Sequence, residues 1–142
     1  TDALARHHRL HLGALFGRAA TPPVPRWFVE VHPFRIDARF EVGKPTPEGA
    51  HRDGVDFVAV VLIGRTGVEG GETTVRSADG EVLARCTLTQ PWSALLMDDR
   101  RVIHETTPIC ALAPVAHRDT LVLTYRAGGF MQPDESPEAA GA

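Results

Sequence analysis

Residues 51–63 read HRDGVDFVAVVLI, and this stretch decides the fold. Its second half, residues 57–63, is an unbroken apolar run rich in the branched residues that favour β-strands. A short apolar run without polar alternation is typical of a strand that is buried on both faces. The run follows a segment rich in Gly and Pro, residues 43–49, which predicts a turn. We therefore predict a central strand with His51 and Asp53 just before it.

The rest of the chain predicts further short strands. Between Arg26 and Arg126, apolar and branched residues recur in short runs that turn-forming residues separate. The other predicted strands are residues 28–32 and 34–36 on either side of Pro33, 72–76, 82–88, 93–97 and 120–125, with a hairpin turn at 77–80. Such a set of strands, with little helix after residue 25, predicts a mainly β fold. We predict a double-stranded β-helix (a cupin-like jelly roll) with an N-terminal helix, because the mouth between its two sheets can hold a metal and a small substrate.

Composition changes along the chain predict three zones. Residues 1–25 are expected to form an N-terminal helix, capped by Gly17, and a Pro-rich connector. Residues 26–127 are expected to form the jelly roll, and residues 128–142 a disordered tail. The chain does not begin with Met and opens inside an apparent helix, so we expect N-terminal sequence to be missing. Uncovered strand edges would favour a partner, and a homodimer is one such assembly.

Overall composition limits the class of protein. A chain of 142 residues with 43% hydrophobic and 23% charged residues is typical of one globular domain. The net charge of −3 gives no basic field for nucleic acid or an anionic membrane, and the longest apolar run is far too short to span a bilayer. Cys86 and Cys110 lack CxxC spacing, which predicts two free thiols and a reducing, cytoplasmic location.

Two histidines and one aspartate predict a metal site. Along a strand, residues i and i+2 point to the same side, so His51 and Asp53 could bind one ion while Arg52 points away. The third ligand would come from another strand, where His104 is placed to supply it. Two imidazoles and one carboxylate are the ligands of the facial triad that holds non-haem Fe(II). We expect Asp98 and Asp99, just before His104, to be turn residues with solvated charges.

Four blocks of sequence carry a resemblance to a known family. They are GKPTPEGAHRDGVD at residues 43–56, GGET at 70–73, LMDDRRVIHETTPI at 96–109 and HRDTL at 117–121. In order and spacing they resemble the bacterial 2-oxoglutarate/Fe(II) dioxygenase family that includes free-amino-acid hydroxylases of the isoleucine dioxygenase type. The resemblance covers roughly residues 26–126. Family members are usually longer at the N-terminus.

The resemblance implies an activity and roles for individual residues. His51, Asp53 and His104 would bind Fe(II), and the protein would use 2-oxoglutarate and O₂ to hydroxylate a small metabolite, a free L-amino acid, with release of succinate and CO₂. Arg118 would bind the far carboxylate of 2-oxoglutarate, and Thr73 is a weaker candidate for a cosubstrate contact. Related halogenases carry a small residue in place of the iron-binding carboxylate, so the presence of Asp53 favours hydroxylation.

Several alternatives stay open at the level of sequence. Arg126 competes with Arg118, because an even separation on one strand places both on the same face. The substrate-binding residues are unknown, and Glu72, Asp56 and Arg35 are candidates by residue type alone. The alternative functions are a non-catalytic cupin-type metal-binding module with a regulatory or stress role, and a jelly-roll interaction domain whose triad is vestigial.

Overall fold

A mainly β architecture with an N-terminal helix, as predicted, is present in the computed structural model, which describes residues 12–130. Residues 12–19 are helical and are called α1. Nine strands follow: β1 Phe28–Asp37, β2 Phe57–Thr66, β3 Val68–Gly70, β4 Thr73–Ser77, β5 Val82–Cys86, β6 Ala94–Asp98, β7 Val102–Thr106, β8 Ile109–Ala111 and β9 His117–Arg126. In this described part, no helix is long and apolar enough to cross a membrane.

The strands form two antiparallel layers. The larger sheet has the order β1-β9-β2-β6. The opposite layer consists of β5-β4-β7, and the pair β3-β8 extends it because β3 leads into β4 and β7 leads into β8. Isolated bridges pair Gly43 with Ile109 and His51 with His104. These bridges lie on the edges of β8 and β7 that face away from β3 and β4. This arrangement is a double-stranded β-helix, so the predicted jelly roll is confirmed.

Strand alternation divides the larger sheet into an inner and an outer face. Met97 and Val58 face Val75 of the opposite layer, and together they form an apolar core between the sheets. On the outer face, α1 covers the sheet, and the ring of Phe16 stacks on Phe57 at 4.5 Å between centroids and meets Tyr125 edge-on. This second apolar cluster, the outer core, packs α1 against the outer face of the larger sheet. The inner face is therefore left for the site.

Two local expectations differ from the structure, and two others fall on residues that it does not describe. Pro33 does not interrupt β1, which is one continuous strand; this is tolerated because β1 lies at the edge of its sheet and pairs only with β9 among the described strands. Gly17 does not end the helix, which continues to residue 19. Residues 1–11 of the predicted helix and residues 131–142 of the predicted tail lie outside the described residues. Both cysteines are free, as expected.

Truncation of Leu123 tests the outer core. The side chain of Leu123 is 1% exposed and packs under α1. We expect Leu123→Ala to lower the free energy of unfolding by about 2–5 kcal/mol, the range for deletion of a buried leucine side chain. Leu83→Ala is the matched control, because Leu83 is 54% exposed. Urea denaturation followed by circular dichroism measures both; equal losses for the two variants would contradict this assignment of the core.

Candidate metal centre

The structure brings His51, Asp53 and His104 together. Donor atoms of the three side chains lie within 4.8 Å of one another. Asp53 Oδ2 is 3.7 Å from His104 Nε2, and Asp53 Oδ1 is 4.0 Å from His51 Nε2. Two donors that bind one ion at roughly 2.0–2.2 Å lie at most about 4.4 Å apart, and both of these pairs fall within that limit. The two histidines are also paired through their backbones, with N–O distances of 3.0 Å in both directions.

Burial makes the group suited to a cation. His104 is only 7% exposed, and Asp53 Oδ2 is buried without a hydrogen bond to any residue in 12–130. Burial raises the pKa of Asp53, against the opposing effect of His104. Burial also lowers the pKa of His104, which favours the neutral imidazole that coordinates metals. An unpartnered carboxylate oxygen facing two imidazoles fits a divalent ion.

The orientation of His51 is set from outside the group. Its Nδ1 lies 2.9 Å from the carbonyl oxygen of Gly49 and 3.2 Å from a carboxylate oxygen of Glu48. Because a carbonyl only accepts, Nδ1 carries the proton and donates it to Gly49. The lone pair is then on Nε2, the nitrogen that faces Asp53. Such partners of the second ring nitrogen orient histidine ligands and increase their basicity.

Strand alternation does not explain how His51 and Asp53 come together, and that part of the prediction is wrong. His51 makes a single bridge, and residues 52 and 53 belong to no strand. Instead, the carboxylate of Asp99 accepts hydrogen bonds from the backbone N–H groups of Asp53, Gly54 and Val55 at 3.0, 2.8 and 3.0 Å. Asp99 is 1% exposed, so its expected solvated charge is also wrong. Sequence gives no signal for this residue, because acids in turns usually face water.

Arg118 is buried between the sheets near a second arginine. It is 4% exposed, and its Nε has no hydrogen-bond partner within the described chain. Residues 62 and 64 of β2 pair with successive residues of β9, so Ile63 forms a bulge. Beyond the bulge, Arg65 lies directly opposite Arg118 and shares its face. Burial, and then the charge of Arg65, lower the pKa of Arg118. An incompletely paired guanidinium beside a second cation is suited to an anion.

The structure distinguishes Arg118 from Arg126 as the candidate for the cosubstrate carboxylate, whereas strand alternation in the sequence could not. Arg126 is at the other end of β9, eight residues further on, which is about 26 Å along a strand. There it lines an open depression of about 450 Å³ together with Arg52, Asp56 and Arg100. Arg118 instead lies beside Gly71, where a Cβ would be 3.8 Å from its Cδ. Only Arg118 is therefore enclosed between the two sheets.

Thr73 lies on the inner face between His104 and the arginine end of the site. Val75 pairs with His104, and two residues along β4 Thr73 pairs with Thr106, so all four side chains share a face. The hydroxyls of Thr73 and Thr106 are 2.8 Å apart. Gly71 lies two residues before Thr73, and a side chain there would meet the side chain of Arg118. Thr106 is a residue that pattern analysis missed, because threonine in a strand is usually only a strand former.

The three substrate-binding candidates named by residue type do not converge. Arg35 is exposed and makes a two-point ion pair with Asp119 at 2.7 Å. Asp56 accepts the backbone N–H of Ala127 at 2.8 Å and lies 3.5 Å from Arg100. Glu72 is exposed. Side-chain type alone was therefore insufficient to locate a substrate site.

A double-stranded β-helix with two imidazoles and a carboxylate at its mouth defines the class of non-haem metal oxygenase folds. Residues 3–124 match the 2OG-Fe dioxygenase family, and the chain belongs to this family. Membership implies Fe(II) and 2-oxoglutarate, and the donor atoms of the triad fit such an ion. The family-level resemblance found in the sequence is thus confirmed.

Solved structures agree with this assignment. A bsmA homolog from Methylobium petroleophilum PM1 is 62% identical, with a TM-score of 0.76 over 86% of this chain and 50% of that one. IDO from Bacillus thuringiensis (21% identity, TM-score 0.63, 72% and 49%) and the Fe(II)/(alpha)ketoglutarate-dependent dioxygenase TqaL (20%, 0.60, 78% and 44%) share the fold. The chain thus spans about half the length of these proteins. No curated protein matches the chain.

Proposed function

We propose that the protein is a 2-oxoglutarate- and O₂-dependent Fe(II) dioxygenase that hydroxylates a free L-amino acid and releases succinate and CO₂. One observation carries this proposal. The space between the sheets holds the buried His104 beside the half-buried His51 and Asp53, a buried and unpartnered oxygen of Asp53, and a buried, incompletely paired Arg118. A metal-binding module alone would need the ligands but would not need the arginine.

Each residue has a defined part in this reaction. His51, Asp53 and His104 would hold Fe(II), which, when bound, supplies the activation of O₂ that protein side chains cannot provide. Arg118 binds the far carboxylate of 2-oxoglutarate through paired N–H donors, with the Arg65 charge beside it. The Thr73 hydroxyl, between these two ends, contacts the cosubstrate. The apolar side chains of Val58, Val75 and Met97 exclude water from the inner end of the space.

The nature of the substrate rests on a narrower set of observations. The carboxylate of Asp53 occupies the position where related halogenases carry a small residue, which supports hydroxylation. The free amino acid is supported by the four sequence blocks that resemble the isoleucine dioxygenase type. The remaining partners are O₂ and a small-molecule substrate. The net charge of −3 and the two free thiols are in keeping with a cytoplasmic protein that binds neither nucleic acid nor membranes. The exposed edge of β1 would be the contact in a homodimer.

Anaerobic titration with Fe(II) and then 2-oxoglutarate tests the proposal. We expect the weak visible charge-transfer band of an Fe(II)–keto-acid chelate in the wild-type protein and its loss in Asp53→Ala. With O₂ admitted, a panel of L-amino acids should then be screened for substrate-dependent release of succinate. Metal binding without a band or succinate would favour the non-catalytic cupin-type module, and absence of metal binding would favour the interaction domain.

A further inference from the structure

We propose that Asp99 is a positioning residue that sets the metal affinity of the site by fixing Asp53 relative to His104. This inference rests on the proposed function, because it concerns the ion that the triad would hold. Asp99 does not itself face the ion position with a free oxygen; both of its oxygens accept backbone N–H groups of residues 53–55. Its effect would therefore reach the ion through Asp53.

The contacts of Asp99 link two separate segments of the chain. Asp99 lies in the turn that connects β6 of the larger sheet to β7 of the opposite layer, five residues before His104. Its carboxylate binds the segment that carries Asp53, and its own N–H donates to the carbonyl of Asp56 at 3.1 Å. His104 is in turn joined to His51 by two backbone hydrogen bonds. These hydrogen bonds together hold the three ligands in one arrangement. Within it, Asp99 fixes the segment that carries Asp53.

The chemistry of this contact makes it strong. Three successive backbone N–H groups form a concave site for a negative oxygen, and hydrogen bonds to an ionised acceptor are stronger than neutral ones. Gly54, in the middle of the three, has φ +75°, a conformation that a residue with a side chain adopts only under strain. The sequence Asp53-Gly54-Val55 is therefore shaped to wrap around the carboxylate. This fixes the backbone of Asp53 before any ion binds.

The charge of Asp99 also acts on the site. Asp99 Oδ1 lies 3.0 Å from the backbone nitrogen of Asp53, so the charge of Asp99 is close to the metal-binding group. Neighbouring negative charges attract a divalent cation, and binding of the cation relieves their mutual repulsion. Asp99 thus has two separable contributions, the position of Asp53 and the local potential.

The neighbouring residue provides a matched control. Asp98 has the same side chain, but its carboxylate pairs with the exposed Arg100 at 3.1 Å on the surface. Asp98→Asn removes one charge from the same turn without touching residues 53–55. A loss of metal affinity specific to Asp99→Asn would therefore reflect its contacts and not the charge of the turn.

Titration calorimetry with Co(II), an air-stable ion for the same N/O donors, tests the proposal. We expect Asp99→Asn to weaken Co(II) binding by roughly 10- to 100-fold, the usual cost of losing a residue that orients a metal ligand. Asp98→Asn should bind like the wild type. Asp99→Glu keeps the charge and misplaces it by one methylene, so it should bind more tightly than Asp99→Asn and more weakly than the wild type. Thermal unfolding without metal reports the folded state of each variant.

The outcomes separate this proposal from the proposed function. Wild-type affinity in folded Asp99→Asn would overturn the positioning role and leave the metal site intact. If Asp99→Asn does not fold, Asp99→Glu decides: weakened binding by a folded protein supports the proposal, and wild-type binding overturns it. A wild-type protein that binds no Co(II) or Fe(II) would instead overturn the metal site itself, and this inference with it. A purely structural role would lower the unfolding temperature but leave the affinity of the folded protein unchanged.

Discussion

Alanine at His104 is expected to abolish both Fe(II) binding and turnover. His104 is the most buried ligand of the three, and no further His, Cys, Asp or Glu among residues 12–130 joins the group. The loss should exceed the roughly 10- to 100-fold that removal of an outer-sphere partner costs. Alanine at His51 or Asp53 should have the same effect. Anaerobic calorimetry with Fe(II), followed by an assay of succinate release, measures both quantities.

A histidine outside the triad controls for the change of residue type. His117 is partly buried on β9, and its Nε2 lies 3.7 Å from Asp119. His117→Ala should retain the Fe(II) affinity of the wild type. Full Fe(II) affinity in all three triad variants would sink the assignment of these residues as ligands, whatever the fold.

Alanine at Arg118 is expected to raise the concentration of 2-oxoglutarate required for half-maximal activity, with Fe(II) affinity nearly unchanged. The guanidinium is buried and its Nε is unpaired in the part of the chain that the structure describes, so a carboxylate would satisfy it. Loss of one charge-assisted bidentate pair costs about 2–4 kcal/mol, or roughly 30- to 1000-fold. Steady-state assays at varied 2-oxoglutarate, together with a metal titration, separate the two effects.

Arg126→Ala is the control, because Arg126 occupies the same strand and the same face but lies at its far end. It should leave the cosubstrate requirement within a few-fold of the wild type. Arg118→Lys should recover only part of the loss, since an ammonium group cannot reproduce the two parallel hydrogen bonds. An unchanged requirement in Arg118→Ala would contradict the assignment of Arg118 as the residue that binds the cosubstrate carboxylate.

Local patterns were sufficient to predict the fold class and to name three candidate ligands that the structure brings together. Turn residues and apolar runs depend on short-range preferences, and these predicted β1, β2, β4, β5, β6 and β9. The short strands β3 and β8 were not predicted, and β7 was expected only as the strand that carries His104. The spacing of His51 and Asp53 also predicted that their side chains lie close together. Strand alternation, however, is not what brings them together. The agreement is best for 57–63, where burial on both faces leaves little choice of residue type.

The missed features depend on contacts between distant segments. Asp99 is 44–46 positions from the N–H groups that it binds, so nothing beside it in the sequence shows that it is buried. Strict alternation along β2 would turn Arg65 outward, and only the bulge at Ile63 turns it toward Arg118. Gly64, inside an apolar strand, was the one available sign of a bulge. The pairing of Thr73 with Thr106 likewise follows from strand register, which sequence alone did not give.

The bulge in β2 has a consequence for how such chains diverge in length. On each side of Ile63, side chains alternate between the two faces of the sheet. At Ile63, the extra residue shifts this alternation by one position. Deletion of Ile63 would leave Leu62 opposite Thr120 and Arg65 opposite Arg118 in a regular ladder. A one-residue gap inside this core strand can thus separate two homologues that keep the same side chains on the same faces, and an alignment that forbids gaps in strands would misplace every residue of one half.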